Sequence, residues 1–186
     1  MGTRNLSCAY MDGEFKVAQY GQWDGYPEGQ GLTILEFLRS TDLNEFKNVL
    51  NEVKFVNDDQ NKVISEDKNW EQNWPQMNRD VGGQIFDLIM NNNVRLVHNS
   101  VDFAGDSLFC EWAYVIDLDA NTFEVYEGFV KDKECVGRFK DFIAEDRHIE
   151  YQPVTLIKSF ALDNLPTSDE FVKACYEHYQ KDEEDE

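Results

Sequence analysis

Hydrophobic and polar residues alternate at first, then fall into a helical period, and this switch recurs along the chain. Residues 5–11 set Leu6, Cys8 and Tyr10 against Asn5, Ser7 and Ala9; residues 14–20 set Phe15 and Val17 against Glu14 and Lys16. A period of two marks a strand, and Asp12-Gly13 between two such runs is a strong hairpin signal. Residues 32–39 carry apolar side chains at 32, 34, 35, 37 and 38, which predicts a short buried helix. A second helix is expected from Asp42, capped with Glu45 and striped by Leu43, Phe46, Leu50 and Val53. Residues 57–78 turn polar around Trp70, Trp74 and Pro75, an excursion with one helical turn expected to be mobile or partner-contacting. Gly82-Gly83 precedes a buried helix over 84–90, marked by Ile85, Phe86, Leu88 and Ile89 and stopped by three asparagines.

Residues 94–98 read as a short strand. Residues 107–117 and 122–130 read as a second hairpin around Leu118-Asp119-Ala120-Asn121. A helix over 135–143 is expected despite Gly137, then a strand over 154–162. A last helix opens at Thr167, boxed with Glu170 and carrying Phe171, Cys175 and Tyr179 on one side. Two hairpins with further strands and grouped helices predict the α+β class, a largely antiparallel sheet with helices packed on it.

Length and charge narrow the picture. At 186 residues the chain suits one domain over 1–180, followed by an acidic, disordered tail over 181–186. The net charge is −20. Such a body repels phosphate backbones and anionic membranes, so neither direct nucleic-acid binding nor membrane association is expected. An acidic mimic of nucleic acid, inhibiting a host or defence enzyme, is one alternative reading. Cys8, Cys110, Cys135 and Cys175 form no C-x-x-C pair and suit reduced thiols, and no apolar leader or span is visible, which together imply the cytoplasm.

The densest chemistry lies in residues 20–31, which hold four glycines, a proline, three aromatics, two carboxamides and two carboxylates. Rings beside amides and a carboxylate are what a ligand pocket tends to show. Tyr20, Trp23 and Tyr26 are expected to offer apolar faces, with Gln19, Gln22, Asp24 and Gln30 as hydrogen-bonding groups. This predicts a non-catalytic binding protein for a small polar ligand or a host protein, using no cofactor and no metal. Asp117-x-Asp119-x-Asn121 has the opening of a calcium loop, but Thr122 and Gly128 stand where Gly and Glu are required, so a hairpin turn is the better account. His98, His148 and His178 form no ligand spacing of note, and Cys175-x-x-His178 is a weak pair.

Two resemblances bear on function. The opening Met1-Gly2-Thr3 followed by strand, Asp12-Gly13 and strand resembles the start of N-terminal-nucleophile hydrolases. That likeness implies a processed Thr3 as nucleophile. Gln19 and Leu35 occupy the places of the family's Asp and Lys, which leaves Asp12 and Lys16 as substitutes. Separately, Gly2-Thr3-Arg4-Asn5-Leu6, Asp12-Gly13, Lys16-Val17-Ala18-Gln19-Tyr20-Gly21-Gln22-Trp23-Asp24-Gly25-Tyr26-Pro27 and Gly29-Gln30-Gly31 resemble a family of small, uncharacterised phage and microbial proteins. The likeness extends loosely to Tyr114–Asp119. It implies a phage or microbial setting, with the host cytoplasm as the compartment if the gene is viral, and no mechanism.

Overall fold

The computed structural model of the chain describes residues 2–131, 134–142, 148 and 150–184, with side chains described through Glu177. Strands β1 (Asn5–Met11) and β2 (Glu14–Gly21) form the first hairpin. Asp12 and Gly13 turn it with φ of 56° and 77°, the double left-handed turn that Asp-Gly favours. Helices α1 (Leu32–Ser40) and α2 (Leu43–Leu50) follow, the second capped by Asp42 Oδ1, which accepts from the Asn44 and Glu45 amides. A short strand β3 (Lys54–Phe55) pairs in parallel with β4 (Leu96–Val97), all that the expected strand over 94–98 becomes.

Between them lie α3 (Asp58–Glu66), α4 (Trp70–Asn73) and α5 (Ile85–Asn91). Residues 57–78 thus hold more helix than one turn. The missed signal is at Asn57, whose side chain accepts from the Gln60 amide while Gln60 returns the bond to the Asn57 amide. Only Ile64 of α3 is buried, so the polar composition concealed a helix lying on the surface.

The second hairpin is β5 (Trp112–Asp117) and β6 (Thr122–Glu127), shorter than expected at both open ends. β7 (Thr155–Ala161) and α6 (Ser168–Glu184) complete the chain. The Thr167–Glu170 box forms in both directions. Helix α6 runs through Glu184, past the residue-181 boundary expected for the acidic tail. Residues 185–186, and the side chains of His178 and Tyr179, lie outside the described residues. The helix expected over 135–143 is absent from its described part, where Gly137 takes φ 95° and the chain makes turns; Ile143 is outside that part.

The sheet has the order β2-β1-β5-β6-β7. Its neighbours are antiparallel except β1 and β5, which run parallel and so join the two hairpins side by side. Helices α1, α2, α5 and α6 cover one face, burying Phe37, Phe46, Phe86, Ile116, Phe123 and Phe171 against it. The segments around Ala104 and Phe139 cover the other face, over Leu6, Cys8, Val115 and Tyr126. Strand β1 is therefore buried on both sides, and its polar residues Asn5 and Ser7 are fully buried along with Leu6 and Cys8. A bulge adds a further difference. Ala9 pairs with Val17 but Tyr10 pairs with Phe15, leaving Lys16 extra. Phe15 and Val17 consequently pack on opposite faces.

Arg138 fastens the layer over the second face. Its guanidinium bonds Glu124 at 2.8 Å through both Nε and Nη2, pairs with Asp117, and lies 4.6 Å over the Tyr10 ring.

Candidate functional site

Residues 22–31 leave β2 at the sheet end where β5 begins. Backbone bonds hold this loop on both flanks. The Gln22 amide donates to Arg79 (2.8 Å), the Gly25 amide to Thr3 (3.0 Å) and the Gln30 amide to Asp24 (2.8 Å). Tyr114, buried in the core, donates its hydroxyl to the Gly25 carbonyl at 2.7 Å. Pro27–Gly31 forms a π-helical turn leading directly into α1. None of the loop's three glycines takes a positive φ; the left-handed residue is Asp24, at 54°. The glycines serve close approach instead. A Cβ at Gly29 would lie 2.2 Å from the Asp24 carbonyl oxygen, and one at Gly31 would lie 2.8 Å from the Phe171 ring. The loop is built as a fixed shape.

Its candidate ligand groups divide accordingly. Gln19 and Gln30 are buried within the scaffold: Gln19 Nε2 donates to the Tyr20 and Gln76 carbonyls, and Gln30 Oε1 accepts from the Gly83 amide at 2.7 Å. Tyr20 donates to Gln22 Oε1 at 2.6 Å and meets Phe103 edge-on. Trp23 is 42% exposed, laid over Gly2 with its indole N–H donating to Asp80 at 2.7 Å. Asp24 is exposed. Tyr26, 50% exposed, lines a cleft.

That cleft holds about 280 Å³, between the loop, α6 and the open end of the second hairpin. Its walls are the rings of Tyr26, Trp112, Phe129 and Tyr176 and the carboxylates of Glu111 and Glu127. Hairpin register places Glu127 opposite Trp112, hence on the same, helix-covered face. Tyr176 meets Trp112 edge-on at 5.9 Å and donates its hydroxyl to Glu28 at 2.8 Å, tying α6 to the loop. Glu111 pairs with Arg4 at 3.5 Å, and Arg4 also lies 4.8 Å over the exposed Phe109 ring.

Phe129 is the unusual member. It is 57% exposed and takes φ 57°, a conformation costing a bulky residue on the order of 1–3 kcal/mol. Three bonds hold it there: the Gly128 amide to the Glu111 carbonyl, the Phe129 amide to the Ser107 carbonyl, and the Val130 amide to Ser107 Oγ. The fold thus keeps a large ring in water, on strained backbone, at the cleft's edge.

Other chemistry is less favoured by the geometry. Thr3 is buried, with its carbonyl accepting from Gly25, while β1 carries Asp12 to its far end. At about 3.3 Å per strand residue that separation is roughly 25–30 Å, and Lys16 is also well removed. Burial pushes the Cys8 and Cys110 thiols far up and that of Cys175 up to about 12, so these sulfurs stay protonated. Asp117 Oδ1 accepts from the Asp119 and Ala120 amides, and the Asp119 carboxylate accepts from the Asp12 and Gly13 amides, binding the two hairpin turns together. Among the described residues no cluster of His, Cys, Asp and Glu could hold a metal ion, and no helix is long and apolar enough to cross a membrane.

Sequence reasoning missed Glu111, Trp112, Glu127, Phe129 and Tyr176. A usable signal existed: counting back from the 118–121 turn sets Trp112 against Glu127. Comparison with family models, curated proteins and solved structures found no match to this chain.

Proposed function

We propose that this chain is a binding protein whose small-molecule ligand sits in the cleft beside Tyr26. The observation that carries this reading is Phe129, an exposed ring kept on strained backbone at the mouth of an aromatic-walled cavity. Strain of that kind is retained where surrounding structure over-determines it, and it clusters at ligand clamps. The rigid 22–31 loop supports the reading, because a preformed wall lowers the ordering cost of binding. The cavity volume also lies at the small end of ligand sites.

Because Tyr26 and Phe129 are half exposed, replacing them removes little core packing. The test is native mass spectrometry of the chain purified from its own host, comparing wild type with Tyr26→Ala/Phe129→Ala. A co-purifying small molecule on wild type, lost from the double variant, is expected. Trp23 is not a wall of the cleft, so Trp23→Ala should keep the ligand. A molecule retained by the double variant, or lost only with Trp23, refutes the assignment.

A further inference from the structure

We infer that a second cleft, between the chain after α4 and the chain after α5, takes a neutral polyhydroxylated ligand of the saccharide class. It shares no lining residue with the cleft beside Tyr26, and the inference does not rest on that one.

The second cleft holds about 440 Å³, within the span of small-molecule sites. Its lining brings together the carboxamides of Gln72, Asn73 and Gln76 from one segment, Asn92 and Asn93 from the other, and the Trp74 indole. Gln76 is 4% exposed and its orientation is fixed, since Nε2 donates to the Leu96 carbonyl at 3.1 Å. Among the described residues nothing donates to its Oε1, which leaves a buried acceptor in the lining. Trp74 is held by its edge. Its indole N–H donates to Asp67 at 3.3 Å, and the same carboxylate accepts from Asn73 Nδ2 and the Asn69 amide at 2.8 Å each.

Arg95 is the one charged residue of the lining, and its charge is matched by Glu52 at 2.8 Å while Nη1 donates to the Ile89 and Val94 carbonyls. An anion would therefore find no spare cation here and would approach a body carrying −20. A cation would find no carboxylate in the lining. An apolar ligand would strip water from the carboxamides and return no hydrogen bonds. A hydroxyl both donates and accepts, as a carboxamide does, so a sugar can satisfy Gln76 Oε1 and its neighbours together. Amides drawn from two sides of the cleft suit hydroxyls radiating around a ring, and the C–H face of a pyranose packs on an indole.

The experiment is an NMR titration of the full chain with glucose, galactose, N-acetylglucosamine and maltose, with adenosine as a parallel arm. Saturable shifts at the Trp74 indole N–H, the Gln76 side-chain amide and the Asn93 amide are expected with at least one sugar by about 50 mM, a range that registers millimolar affinity. Asn93 takes φ 56°, so Asn93→Gly removes its carboxamide without straining the turn. That variant and Trp74→Ala should each weaken the sugar by about threefold to tenfold. Tyr26→Ala should not. No saturable shift with any of the four sugars overturns the inference, as does sugar binding that both cleft variants leave unchanged. Adenosine binding where no sugar binds overturns it in favour of a nucleobase. None of these outcomes alters the co-purification test of the Tyr26 cleft.

Discussion

Phe129 sets backbone strain against an exposed ring at a single position. Its φ of 57° suits glycine, and its ring is mostly in solvent. Phe129→Gly should therefore leave stability unchanged or raise it by up to ~1 kcal/mol, while Phe129→Ala, which keeps the strained conformation, should fall below it by a similar amount. Urea unfolding of the two variants against wild type measures this; both variants well below wild type would show that the ring itself stabilises the fold, and a glycine variant below alanine would contradict the strain. His98 is a second instance of a residue set by its surroundings. Burial disfavours its charged form, so the folded protein holds the proton less tightly than the ordinary value of 6.5. The unfolded chain takes that proton first as pH drops. Stability owed to neutral His98 is thus present above about pH 6.5 and lost as pH falls below it. The difference in unfolding free energy between wild type and His98→Gln should stay level from pH 7.5 to about 6.5 and then fall as pH drops to 5.5; parallel curves would contradict the assignment.

At the scale of elements, the 22–31 loop is a solid piece because it is fastened at several points. Gln30 is its inner clasp, with Oε1 on the Gly83 amide and Nε2 on the Trp23 carbonyl at 3.3 Å. Removing that buried carboxamide leaves the Gly83 amide without its acceptor, a loss of about 1–3 kcal/mol. Gln30→Ala should show it as a lower urea midpoint with an unchanged slope, and should speed hydrogen exchange at Gly83 and in the loop. Unaltered exchange would mean that the Tyr114 hydroxyl and the backbone bonds suffice. The two hairpins show the same logic, each closed locally but locked to the other by Asp119 and by the parallel β1–β5 ladder.

For the whole molecule, the dominant long-range force is self-repulsion of a body carrying −20. Raising NaCl from about 20 to about 200 mM shortens the screening length severalfold and should raise the unfolding temperature. A midpoint indifferent to salt would mean that the carboxylates are balanced by local partners such as Arg95 with Glu52 and Arg138 with Glu124.

The chain's own order of residues determined the α+β class, both hairpins and their turns, α1, α2, α5 and the boxed start of α6. These depend on period, turn chemistry and caps, all of which act within a few residues. It also marked residues 20–31 as a shaped segment. Only the tertiary structure decided that β1 and β5 pair in parallel, that both faces of β1 are buried, and that the Lys16 bulge sends Phe15 and Val17 apart. The cleft belongs to that second group. Tyr26, Trp112, Phe129 and Tyr176 come from four separate stretches, and nothing local to any of them encodes the meeting. Contacts between distant positions are selected by the packing of the whole core, which no short window of residues contains.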